Sequence, residues 1–162
     1  MQLKLQREDA GPSRASKRIL VAASALLGVA IAGRLTAYQI GWTGAPWEPF
    51  FGTGTERVLH SSFSRALPFP DAALGLLMYI AEIAALAWGD TARWRSKPVA
   101  VYVYVATAFG LAGGSLGLLV LQAAVIHAFC TLCLASALLS FVLVAPAALE
   151  LAAALKAHGA EK

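Results

Sequence analysis

Apolar residues fall into four long blocks separated by short polar segments. The first block runs from Ile19 to Gly33 and continues past Arg34 through Leu35, Thr36, Ala37, Tyr38 and Ile40. A helix rises ~1.5 Å per residue and needs about 20 residues to cross a hydrocarbon core. Ile19 to Gly33 alone falls short, so a crossing has to include Arg34, whose long side chain can reach back to the headgroups. The second block is Ala72 to Trp88 with Glu82 inside it, the third is Val99 to His127, and the fourth is Cys130 to about Leu149. Gly110, Gly113, Gly114 and Gly117 in the third block let neighbouring helices approach closely. The spacing predicts an all-α fold, an integral membrane four-helix bundle.

Residues 43–71 form the longest polar stretch between blocks. Trp42 and Trp47, followed by Phe50 and Phe51, suit an aromatic anchor at a membrane interface. Thr53 and Glu56 have capping-box spacing. Val58, Leu59, Ser62, Phe63, Ala66 and Leu67 then fall near one helical face. This predicts a short amphipathic helix lying on the membrane surface, stopped by Pro68 and Pro70.

Charge orients the bundle. Of 162 residues, 59% are hydrophobic and only 14% charged, far below the quarter typical of soluble domains. The net charge of +4 comes from Lys and Arg clustered beside the apolar blocks, which argues for positive-inside topology and against nucleic-acid binding. Residues 1–18, with Lys4, Arg7, Arg14, Lys17 and Arg18, read as a cytoplasmic tail. Residues 19–149 read as the transmembrane domain, and 150–162, with Lys156, His158 and Lys162, as a second cytoplasmic tail. The turn over 89–98 carries Arg93, Arg95 and Lys97 on the same side. The 43–71 loop and the 127–130 turn then face outward. A cleaved signal peptide over residues 1–32 is the competing reading, since Ala30-Ile31-Ala32 precedes Gly33; the apolar face continuing beyond Arg34 favours a retained span.

The chain has two cysteines, Cys130 and Cys133, three residues apart at the outward start of the fourth block. Residues i and i+3 share a helix face with Cβ atoms ~5–6 Å apart, and modest adjustment brings them to disulfide range. A helix N-terminus favours a thiolate and burial opposes it; the sequence leaves that balance open. Two cysteines packed as small apolar residues would explain the composition but not the C-x-x-C spacing. Structural zinc needs four ligands, and Cys130, Cys133 and His127 supply three unless His60 folds over. Leu134 follows the second cysteine, which excludes haem attachment.

Four pieces in order resemble the vitamin K epoxide reductase family, including its bacterial quinone-linked, disulfide-forming members: Thr55-Glu56-Arg57-Val58-Leu59-His60-Ser61-Ser62; Pro70 with Gly75 and Tyr79; the long third block; and Phe129-Cys130-Thr131-Leu132-Cys133. The resemblance covers roughly residues 19–147. It implies a four-helix bundle around a pocket for ubiquinone or menaquinone in the inner membrane. Cys133 would face the quinone and Cys130 would exchange disulfides with a thioredoxin-fold or other thiol protein. Asp71 matches a position offering a polar group to the quinone, and Ser61 a loop serine. Tyr79, Arg34 and His127 join Asp71 as cofactor-binding candidates, with core packing, snorkelling and an interfacial helix end as their respective alternatives. Glu82 is an intramembrane acid, either a proton relay or a carboxyl bonded between helices. No metal is expected. One departure stands out. The family usually carries two relay cysteines in the outer loop; here Thr55 stands at the second position, and none occurs near Trp47, where the first would fall. Two functions follow: a quinone-linked thiol–disulfide oxidoreductase, or a non-catalytic membrane accessory subunit with a degenerate redox site.

Overall fold

The computed structural model describes residues 15–66, 68–88, 93 and 97–159. Lys4, Arg7 and Arg14, Leu67, most of the 89–98 turn, the His158 side chain and Lys162 lie outside the described residues. The helices are α1 (Ala15–Gln39), α2 (Gly54–Leu59), α3 (Ser62–Ala66), α4 (Asp71–Ala87), α5 (Pro98–Leu121, prolonged by a π-helical turn over Gln122–Ile126) and α6 (Thr131–Gly159). No strand occurs among the described residues.

Helix α1 packs on α4, α4 on α5, α5 on α6 and α6 back on α1, closing a ring. The ring is lined by small and aromatic side chains: Val21, Ala25, Ala32, Tyr79, Ala85, Tyr104, Ala108, Leu143 and Ala147 are all buried. Alanine at the contacts lets backbones approach, the usual solution where lipid leaves little hydrophobic drive between helices. Gly28 carries this furthest, because a Cβ there would overlap the Tyr79 ring. The outer faces are apolar, with Leu26, Leu27, Leu77, Leu116, Val120 and Leu138 exposed. An apolar exterior around helices that satisfy their own backbone is the form the bilayer demands. Ser16–Gln39, Pro98–Ile126 and Thr131–Ala157 are each long and apolar enough to cross a membrane. Helix α4 has 17 residues and is about 25 Å long; counted with Gly54–Ala66 as one broken span, it makes a fourth. The chain is a multi-pass membrane protein.

Three local expectations change. The single amphipathic helix is two short helices, because Ser61 Oγ accepts the Ser64 N–H (3.3 Å) and starts α3 afresh. The Thr53–Glu56 capping box does not form. Thr53 sits at φ −92°, ψ 17° and makes no side-chain cap bond, since capping needs the extended backbone it lacks. Helix α6 continues past Leu149 to Gly159. Helix α1, by contrast, stops where Gly41 takes φ +77°. The amides of Gly41 and Trp42 close back on the Tyr38 and Ala37 carbonyls (3.0 and 2.9 Å), a Schellman turn that sends the chain into the loop.

At the end far from the cysteines, charges are paired inside the protein. Arg93 is fully buried. Its Nε and Nη2 donate to Glu150 Oε2 (2.9 and 2.7 Å) and its Nη1 to the Ala85 carbonyl (2.7 Å). The guanidinium stacks over Tyr104 at 4.5 Å. Arg18 donates to the Leu86 carbonyl (2.7 Å). Removing one partner of a buried pair strands the other, at about 3–5 kcal/mol. Arg93→Met is therefore expected to lower the unfolding midpoint in detergent sharply, and Arg93→Met with Glu150→Leu to recover most of the loss. Equal losses in the single and double variants would mean that the pair is not what holds this end.

Candidate functional site

The opposite end is built around the first turn of α6. Helix α5 ends in the π-helical turn, and His127 reverses the chain at φ 51°, rare for a residue with a side chain. The Ala128 N–H returns to the Gln122 carbonyl (3.2 Å), and the buried Gln122 side chain accepts the Cys130 N–H through Oε1 (3.3 Å). Cys130 thereby stands immediately before α6, and its carbonyl accepts the first helical bond, from Leu134 N–H (3.0 Å). Cys130 Sγ accepts the Cys133 N–H at 3.1 Å. This is the geometry of a helix N-cap bonding the third residue of the first turn. C-x-x-C spacing here means cap to third residue, with sulfur in the role usually held by a Ser or Asp oxygen.

Both cysteines are free thiols. Cys130 has no exposure, while Cys133 is half-buried. The Cys133 thiol, together with the Thr55 hydroxyl and the Cys133 amide, holds the Cys130 thiol below its ordinary value, against burial and the nearby Glu48 charge. Hydrogen bonding at the helix start therefore outweighs desolvation, the balance that spacing alone left open.

Cys130 is covered by the 43–71 loop. Val58 and Leu59 of α2, Leu35 of α1, Ala128 and Cys130 form one buried cluster, with Ile31, Tyr38, Ala72, Ile126, Leu132 and Cys133 packed around it. Gly54 lies flush against the Phe129 backbone, where a Cβ would overlap the carbonyl oxygen. The Phe51 and Phe129 rings pack at 5.6 Å. Glu48 ties the loop down. One oxygen accepts the Thr131 N–H (3.1 Å) and the Thr55 hydroxyl, and the other accepts the Thr131 hydroxyl. Burial pushes the Glu48 carboxyl up, but these bonds together with the Phe51 amide hold it below the usual carboxylate range.

A second polar cluster fixes α4 beside the pair. Gln39 Nε2 donates to the Leu59 carbonyl (3.2 Å), to Ser64 Oγ (2.9 Å) and to Asp71 Oδ1, while Gln39 Oε1 accepts the Ala72 N–H (3.1 Å). Asp71 and Glu48 are both close enough to act electrostatically on Cys133.

The structure therefore brings Cys130, Cys133 and Asp71 together. Other candidates sit elsewhere. Arg34 is half-buried and bonds Thr43 Oγ1 and the Gly44 carbonyl (2.9 Å), pinning the start of the loop. His127 is exposed at the reversal, and Ser61 caps α3. Tyr79 is buried in the ring and donates to the Ser136 carbonyl (2.7 Å), one turn beyond Cys133. Glu82 is buried between α4 and α5, accepts the Thr107 hydroxyl and keeps Oε1 without a hydrogen-bond partner; it lies within the field of Arg93 and Glu150, at the far end. Among the described residues no three His, Cys, Asp or Glu side chains group as a metal site. Glu48, Gln122 and Gln39 were not legible as site residues. Gln122 alone carried a signal, a polar side chain at the end of an apolar block.

The chain matches the vitamin K epoxide reductase family over residues 19–148 and belongs to it. Membership makes it a membrane redox protein of the thiol–disulfide kind. No curated protein matches the chain.

Because the Cys133 thiol contributes most to lowering the Cys130 value, Cys133→Ala is expected to shift the pH midpoint for Cys130 alkylation upward. Alkylation of Cys130 would then need a higher pH than in the parent. An unchanged midpoint would assign the effect to the Thr55 hydroxyl and the Cys133 amide instead.

Proposed function

We propose that this protein is a quinone-dependent thiol–disulfide oxidoreductase of the disulfide-forming type. The observation that carries the reading is the Cys130–Cys133 pair: two free thiols joined cap-to-third-residue at the start of a membrane helix, one of them favoured as thiolate. In each turn, a thiol partner attacks the Cys130–Cys133 disulfide and leaves with its own disulfide, and the pair becomes a dithiol. The dithiol closes again, giving two electrons and two protons to a quinone, which leaves as the hydroquinone. Cys130 exchanges with the partner and Cys133 meets the quinone. Ubiquinone or menaquinone suits the surroundings of Cys133: Ile31, Leu35, Tyr38 and Ala72 supply apolar walls near it, and Asp71 with Gln39 a polar rim.

In this reading α4 crosses the membrane with the other three long helices. Both termini are cytoplasmic, and the cysteine end opens to the oxidising side of the inner membrane, where a thioredoxin-fold partner is found. The Arg18, Arg93 and Lys97 end is then cytoplasmic, as the positive-inside bias requires.

The second reading is a quinone- or protein-binding accessory subunit. Thr55, standing where the family carries a relay cysteine, favours it, since a hydroxyl cannot exchange disulfides. The redox state of the pair in native membranes separates the two. Under the oxidoreductase reading a dithiol reduces the pair, added quinone re-oxidises it, and Cys133→Ala abolishes quinone reduction. A pair locked in one state under both treatments would leave only the accessory role.

A further inference from the structure

We propose that Glu48 is a positioning residue that latches the 43–71 loop over Cys130, so that Cys130 meets a partner only when Glu48 releases Thr131 and Thr55. The consequence for exchange rests on the oxidoreductase reading above; the latch itself rests on geometry.

Three observations support it. First, the two cysteines differ in exposure. Cys130 has no exposure and Cys133 is half-buried, and what covers Cys130 is the loop: Thr55 is buried beside it and Gly54 lies on the preceding backbone. Second, one carboxylate hydrogen-bonds the loop to the C-x-x-C segment. Glu48 takes both donors of Thr131, the residue that follows Cys130, and also the hydroxyl of Thr55. A carboxylate accepting from a first-turn amide is well placed, because that amide has no partner within its helix. Third, Glu48 and the Cys130 sulfur share a donor. The Thr55 hydroxyl lies within reach of both, and the Glu48 charge beside the sulfur disfavours the thiolate. Release therefore does two things at once. It uncovers Cys130, and it takes the Glu48 charge away from the sulfur.

The latch also suits a loop without cysteines. Segment 48–55 is closed by a hydrogen bond between its ends, Glu48 and Thr55. Such a closure opens without redox chemistry, so a partner thiol has a direct path to Cys130.

The test follows alkylation by a neutral maleimide in native membranes. Cys130 is read in a Cys133→Ala background and Cys133 in a Cys130→Ala background. Glu48→Gln keeps the side-chain shape but loses the charge that binds three donors. It is expected to raise the Cys130 rate about tenfold or more, as loss of charge-assisted bonds implies, and to leave the Cys133 rate within about twofold. Gly54→Ala, whose methyl meets the Phe129 carbonyl, should raise the Cys130 rate in the same selective way by wedging the loop outward. A Cys130 rate unchanged in both variants overturns the latch, and so does a parallel rise at both cysteines, which would signal general loosening. Alkylation needs neither quinone nor partner. Failure here leaves the redox reading standing, and a pair that ignores quinone leaves the latch standing.

Discussion

A helix begins with amide groups that have no partner within it, and a membrane helix cannot leave them bare. In this protein that deficit falls at the first turn of α6, and the site is made of what satisfies it. Cys130 Sγ takes the Cys133 amide and Glu48 takes the Thr131 amide. The Cys130 amide itself is held by Gln122 at the end of α5. One segment is thus fastened to its own helix, to the preceding helix and to the loop above it. The redox pair is also the helix cap, and the cap amide is one of the groups that lower the Cys130 thiol.

The two ends of the bundle handle polarity differently. At the far end Arg93, Glu150 and the Ala85 carbonyl form a buried charged staple between the chain after α4 and the end of α6, with Tyr104 of α5 stacked on the guanidinium. Its electrostatics are fixed by direct pairing. At the cysteine end no cation neutralises Glu48 through any described ion pair; hydroxyl and amide donors do that work. Hydrogen bonds of this kind can be exchanged one for another, whereas a buried ion pair resists opening. Fixed pairing therefore sits at one end of the ring and exchangeable hydrogen bonds at the other, with the Gly28–Tyr79 contact packing the ring between them.

The 43–71 loop carries no cysteine and still contacts the pair. Thr55 still packs against Cys130, and Gly54 still allows α2 to lie on the Phe129 backbone. The loop packs over Cys130, and Glu48 bonds it to Thr131.

The sequence by itself determined the all-helical membrane architecture, the C-x-x-C pair and the end of the bundle where it sits. Each depends on short-range information: block length and residue spacing. It did not determine which residues complete the site. Glu48 lies 83 positions before Thr131, and Arg93 lies 57 before Glu150. No periodicity joins residues so far apart, and Glu48 reads as one more acid in a polar loop until the ring of helices brings that loop onto α6. For the same reason Tyr79 and Arg34, plausible near a pocket by span position, were assigned by tertiary packing to the ring interior and the loop start. Whether the helix start or burial governs the Cys130 thiol was a contest between two local effects of opposite sign. Only the tertiary structure, by setting the donors around the sulfur, decided it for the thiolate.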